Sequence, residues 1–242
     1  MAIITGTSGN DIAPALFGTE AADEIYGHAG NDALVGLAGD DLLDGGDGND
    51  LLEGGAGNDM LQGGAGMDTA TFLDSYNHVP VTVDLITGTA HGGATLGSDR
   101  LVSIENVEGT LYEDQIFGSN LANVLKGASG ADMLAGRGGA DRFVYVQTYD
   151  SLASASDHIQ DFSSKQGDRI DLSAVETNEQ SGGDPDFKFI GQKDFTAPGQ
   201  VRFSMKGDHT VVEVNTTDEA AGAEMQIILD AKVSMKATDF VL

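Results

Sequence analysis

Aspartate recurs at a strict step of nine, at Asp23, Asp32, Asp41, Asp50, Asp59 and Asp68, and an aliphatic residue follows two places behind at Ile25, Leu34, Leu43, Leu52 and Leu61. Carboxylates at so regular a spacing suit a hard cation better than a reaction. Calcium takes six to eight oxygens at about 2.3–2.6 Å, drawn from carboxylates and backbone carbonyls alike. Each aspartate is the sixth member of a nine-residue phrase that runs six times from Gly18 to Thr71, with glycines favoured at the first, second and fourth places. The candidate ligands are therefore these six aspartates together with the carbonyls of Gly27, Gly30, Gly36, Gly39, Gly45, Gly48, Gly54 and Gly57.

The phrase also dictates the elements that hold those oxygens. Glycine admits positive φ and close backbone approach. The three residues that follow each aspartate are extended, so the aliphatic at the eighth place points inward while its neighbours point out. One unit is thus a loop plus a short strand, and two units complete a circuit. Asp32 then lies above Asp50 and Asp41 above Asp59, about 4.8 Å apart at sheet spacing. Carboxylates held so close oppose folding unless a cation joins them. The expected fold is all-β: a right-handed parallel β-roll, a solenoid that buries its apolar face turn by turn.

The opening GTSGNDIAP, from Gly6, reads as a degenerate capping turn, followed by the insertion Ala15-Leu16-Phe17; Ala21 replaces the fourth-place glycine of the first regular unit, which weakens that loop. After Asp68 the phrase stops, but Val79–Leu85 and Arg100–Val107 alternate apolar and polar residues and read as strands. The phrase returns in worn form from Gly109, with Asp114, Asn123, Asp132 and Asp141 at the sixth place and the carbonyls of Gly127 and Gly130 as further oxygens. Asparagine offers one neutral oxygen, so Asn123 makes a weaker site. From Phe143 onward seven of the ten phenylalanines accumulate, and the runs 143–146, 157–162, 167–173, 187–190, 200–203, 210–214 and 226–229 are antiparallel strand candidates for a β-sandwich-like cap. The expected divisions are 1–71, an N-terminal roll; 72–108, calcium-free solenoid turns; 109–144, a second roll; and 145–242, a β-rich cap.

The nonapeptide array resembles the calcium-binding RTX repeat. GGADRFVY, DHIQDF, GDRIDLS and the final DFVL resemble the C-terminal domain of the serralysin metalloproteases and of other RTX exoproteins, and are similar to the repeat modules of secreted alginate epimerases. That resemblance implies a further calcium at Asp161 and Asp168. It also implies type I secretion, read from the terminal Asp239-Phe240-Val241-Leu242.

Several function classes are excluded. The formal net charge is -27, and no lysine or arginine precedes Arg100, so nucleic acid and anionic membranes are not partners. There is no cysteine, and no apolar run approaches the roughly 20 residues of a membrane span. MAIITGTSGND lacks the charged start and apolar stretch of a signal peptide, and Met1 before a degenerate repeat fits a complete small protein at least as well as an excised module. None of His28, His78, His91, His158 and His209 is followed by glutamate, so the zinc-protease motif H-E-x-x-H is missing, as are a G-x-S-x-G elbow and a phosphate loop.

The sequence therefore reads as a secreted, non-catalytic calcium-binding protein or module whose folding is driven by calcium outside the cell. Pairing loops eighteen residues apart gives about four sites in the first array, about two in the second and one in the cap. The alternative is a module that holds an acidic extracellular polysaccharide such as alginate, or an adhesion module, freestanding or part of a larger exoenzyme, with Lys126, Arg137 and Arg142 as its cations.

Overall fold

The step of nine becomes a two-sheet coil because alternate units supply strands to alternate sheets. The structure, a computed structural model, describes residues 1–12, 15–73, 79–175, 187–217 and 222–242; His78 and its neighbours 74–77 lie outside them. The chain divides into two units, Met1–Ser119 and Asn120–Leu242.

In the first unit, one sheet stacks β1 (Ile3–Thr5), β3 (Glu24–Ala29), β5 (Leu42–Asp47) and β7 (Met60–Ala65) in parallel. The other stacks β2 (Leu16–Phe17), β4 (Ala33–Val35), β6 (Leu51–Glu53) and β8 (Thr69–Thr71), again in parallel. The register is eighteen residues per turn: Ile25 pairs with Leu43 and Leu43 with Leu61 in one sheet, and Leu34 with Leu52 and Leu52 with Ala70 in the other. All six are fully buried, and each large aliphatic so buried stabilises the fold by about 1.5–3 kcal/mol. In this sheet β3, β5 and β7 are six residues long rather than three, because they also pair through the second and third places of the following loop.

The stretch 72–108 is not a run of parallel turns throughout. Here β9 (Thr82–Asp84) and β10 (Thr89–Gly92) pair antiparallel, a single helical turn α1 (Gly93–Leu96) follows, and β11 (Gly97–Val102) returns antiparallel to β10 yet parallel to β7. Then β12 (Asn106–Glu108) stacks parallel on β8, and β13 (Gln115–Phe117) parallel on β9. The coil thus continues through β11 and β12, with a hairpin inserted in one sheet.

The second unit is also β-structure. Its strands are β14 (Val124–Lys126), β15 (Met133–Ala135), β16 (Arg142–Val144), β17 (Asp157–Ile159), β18 (Arg169–Asp171), β19 (Lys188–Phe189), β20 (Gln200–Lys206), β21 (His209–Asn215), β22 (Met225–Leu229) and β23 (Phe240–Val241). Among the described residues, the expectation that the strands beyond Phe143 are antiparallel holds for β20 with β21 and β21 with β22 alone. By contrast β17 lies parallel between β15 and β22, and β18 parallel between β16 and β23. The physical reason is register: Asp157 and Asp168 accept the amides of Asp132 and Asp141 at 3.0 and 3.1 Å, which continues the roll although the steps are 25 and 27 residues rather than 18. Half-buried Phe189 packs against Phe203 and Phe240, with ring centroids 6.1 and 5.1 Å away, and Phe143 packs against Phe162 at 6.2 Å. Each unit is thus built on parallel β-roll turns, with almost no helix among the described residues.

Candidate metal centres

The sixth-place carboxylates form hydrogen-bonded ladders along the roll. Asp41 Oδ1 accepts the Asp23 amide at 2.8 Å, and Asp59 Oδ1 the Asp41 amide at 2.9 Å; Asp50 and Asp68 do the same for Asp32 and Asp50, both at 2.8 Å. In the second unit Asp141 Oδ1 accepts the Asn123 amide at 2.8 Å. One oxygen of each carboxylate is thereby spent on stacking the turns.

The other oxygen divides the loops into two kinds. Oδ2 of Asp32, Asp41, Asp50, Asp59, Asp68 and Asp141 is buried and has no hydrogen-bond partner. A buried, charged oxygen without a donor costs more than a lost hydrogen bond, so each such atom needs a ligand to explain it. In Asp11, Asp23 and Asp114 Oδ2 is instead closed by a threonine at the second place: the Thr7, Thr19 and Thr110 amides lie at 2.7, 2.6 and 2.5 Å. The open loops have a second place with positive φ: His28 +77°, Leu37 +78°, Gly46 +101°, Gly55 +95°, Gly64 +109° and Arg137 +67°. β-branched threonine resists that conformation, so its amide turns towards the carboxylate and seals the loop.

The first-place glycines have a different task. A Cβ on Gly27 would lie 2.6 Å from Asp32 Oδ2 and 2.6 Å from the carbonyl of Gly45 on the next turn, and one on Gly36 would meet Asp41 Oδ2 and the carbonyl of Gly54. Carboxylate and carbonyl oxygens from adjacent turns thus converge on a space left clear of any side chain. The fourth-place glycines Gly30, Gly39, Gly48, Gly57 and Gly130 have φ between +122° and +148°. The same close approach recurs in the second unit, where a Cβ on Gly127 or Gly136 would meet Asp132 or Asp141.

The donor set is all oxygen and mixes carboxylate with carbonyl, which fits calcium. Among the described residues no three acidic or histidine side chains converge as a metal cluster. Side chains alone therefore do not make the cage, and the glycine-rich backbone has to supply the remaining ligands. Burial pushes Asp41 and Asp68 up to about 6 and Asp59 and Asp141 up to about 7, and neighbouring ladder carboxylates add to the rise. The metal-free ladder holds its anions at a cost.

The remaining expected ligands are placed differently. Asp23 is pulled below the usual carboxylate range by the Ala2 amide and Thr19. Asp161 accepts the Gly136 and Arg137 amides at 3.0 and 2.7 Å, and Asp168 Oδ2 accepts the Ser163 amide at 2.8 Å. These carboxylates are already held by backbone. Three residues outside the expected set join the ladders: Asp99 accepts the Asp59 amide at 2.9 Å, Glu105 that of Asp68 at 3.0 Å, and Asp157 that of Asp132. The signal was present in Gly97-Ser98-Asp99-Arg100-Leu101 and Asp157-His158-Ile159, which keep the aliphatic two places after the aspartate. Of the three candidate cations, Arg142 is ion-paired to Asp171. Burial alone would raise Asp171, but Ser173 and Arg142 outweigh it and lower its pKa. His158 pairs with Asp230 at 2.7 Å and His91 with Ser98 at 3.0 Å.

Comparison with known proteins agrees with this geometry. The family described as Peptidase M10 serralysin C terminal matches residues 102–242. The RTX calcium-binding nonapeptide repeat (4 copies) matches residues 15–43 and 35–70. No curated protein matches the sequence. Among solved structures, the extracellular lipase LipA from Serratia marcescens is 16% identical with a TM-score of 0.32, covering 93% of this chain and 39% of the lipase. The AlgE6R3 subunit of the Azotobacter vinelandii mannuronan C5-epimerase is 20% identical with a TM-score of 0.29, covering 98% of this chain and 80% of that one. The chain thus spans about two fifths of the lipase's length.

Proposed function

Because the chain belongs to the serralysin C-terminal family and carries RTX calcium-binding repeats, we propose that it is a secreted, non-catalytic module whose folding is driven by calcium once it has left the cell by type I secretion. The observation that carries this reading is the set of buried Oδ2 atoms without partners on successive ladder aspartates. Bound calcium supplies the positive charge that those oxygens and the facing carbonyls lack. The protein's part is to bring the oxygens together: the Asp amide-to-carboxylate bonds set the register, and the first-place glycines keep the space clear.

At sub-micromolar calcium inside a cell, a chain of net charge -27 repels itself and stays loose enough to thread a channel. At millimolar calcium outside, occupied sites add folding free energy. In the folded chain Phe240 and Val241 are held in β23 against β18, so an export channel would read that segment from the unfolded form.

Far-UV circular dichroism in chelator, then through a calcium titration to about 10 mM with magnesium as control, tests the reading. A coil-like spectrum that turns cooperatively into β-structure with calcium alone is expected. An equally β-rich spectrum in chelator would overturn calcium-driven folding. The polysaccharide reading draws no support from Arg142, whose guanidinium is engaged by Asp171.

A further inference from the structure

The repeat matches end at residue 70, yet a segment beyond the hairpin rebuilds the loop places one by one. Gly97 has φ +74°, and a side chain on it would run into the Gly57 carbonyl, as one on Gly57 would run into that of Gly39. The Ser98 amide reaches Asn58 Oδ1 at 3.1 Å, as the Asn58 amide reaches Asp40 Oδ1 at 2.8 Å. Asp99, only 4% exposed, takes the Asp59 amide, and Leu101 stacks on Leu61. Gly97 to Leu101 are therefore the fourth to eighth places of a nonapeptide, delivered by β11 after the chain has left the array and returned.

The other ladder ends in the same way. A Cβ on Gly63 would meet both Asp68 Oδ2 and the carbonyl of Ser103, the same convergence seen at Gly27. Asp68 is fully buried and its Oδ2 has no hydrogen-bond partner. Ser103, with φ +51°, turns its carbonyl to this point, and Glu105 Oε2 holds the Asp68 amide at 3.0 Å. A carboxylate oxygen facing a carbonyl oxygen in a buried space is repelled by it, and a cation relieves both.

We propose that Gly97–Glu105 is the closing turn of the first array and binds two further calcium ions against the last repeat loops, one between Asp59 and Asp99 and one between Asp68 and Glu105. This rests on the reading of the ladders as calcium sites. On each edge the last repeat loop then has a partner turn that no repeat provides.

Equilibrium dialysis of the full chain against radiolabelled calcium tests this with Asp99→Asn and Glu105→Gln, which keep the amide-accepting oxygen and remove the charge. Each variant is expected to bind one calcium fewer than the unaltered chain, and the double variant two fewer. Equal stoichiometry and affinity in all four proteins would overturn the closing turn and leave the array sites standing, whereas an unaltered chain that binds no calcium would overturn both. If a variant does not fold, anomalous scattering from crystals of the unaltered chain grown in calcium decides. Peaks beside Asp99 and Glu105 support the proposal, and ordinary waters or empty density there overturn it.

Discussion

At the scale of single residues, the second and fourth places of each loop carry opposite liabilities. His28 and Leu37 hold φ of +77° and +78° without being glycine. A left-handed backbone costs an L residue roughly 1–2 kcal/mol, and glycine returns about 0.5–1 kcal/mol of that through its freer unfolded state. Leu37→Gly is therefore expected to raise the stability of the calcium-loaded protein by a few tenths to about 1 kcal/mol in urea unfolding. Gly48→Ala should do the reverse: φ is +138°, and a side chain would run into the Gly30 carbonyl. The backbone strain alone costs about 1–3 kcal/mol, and the lost fit between turns should appear as weaker calcium binding. A Gly48→Ala protein as stable as its parent would show that adjacent loops do not approach as described.

At the scale of elements, a short strand of the roll holds its place by stacking on its equivalents. Leu52 in β6 lies between Leu34 and Ala70, fully buried on both sides. Leu52→Ala is expected to cost about 2–5 kcal/mol, because the turns above and below cannot both collapse into the gap. Because the ladder passes through the same turn, calcium midpoints should rise with the loss of stability. A variant that loses stability in chelator and calcium equally, with no change in calcium midpoint, would separate the core from the metal sites. The inward leucines were legible in the sequence as the aliphatic two places after each aspartate. The parallel pairing of β17 and β18 was not, since intervals of 25 and 27 residues hide the register that Asp157 and Asp168 keep.

At the scale of the whole molecule, acid and calcium should act through the same carboxylates. Burial raises Asp41, Asp59, Asp68 and Asp141 from 3.8 to between about 6 and 7, and Asp99 to about 8. Between about pH 4 and 8 the metal-free folded chain therefore binds more protons than the unfolded chain, so its stability falls as pH rises through that window. Calcium needs the deprotonated carboxylates, so its stabilising increment grows over the same window. In chelator, β-structure measured by circular dichroism from about pH 5 to about pH 8 should decline with rising pH, while in calcium it should persist. A chelator-treated chain that gains structure as pH rises would contradict the burial of these anions.

The sequence by itself determined the step of nine, the two-unit circuit, the inward aliphatics and the oxygen-rich loops, because each follows from local backbone geometry and the period of the pattern. It also held, unread, the rule that threonine at the second place closes a loop, as Thr7, Thr19 and Thr110 do. Only the tertiary structure decided which carboxylates keep a buried oxygen without a partner, and that Asp99 stands next to Asp59 forty residues away. Such neighbours are set by where a hairpin returns the chain, and the cost of a buried charge depends on what surrounds it rather than on what precedes it in the chain.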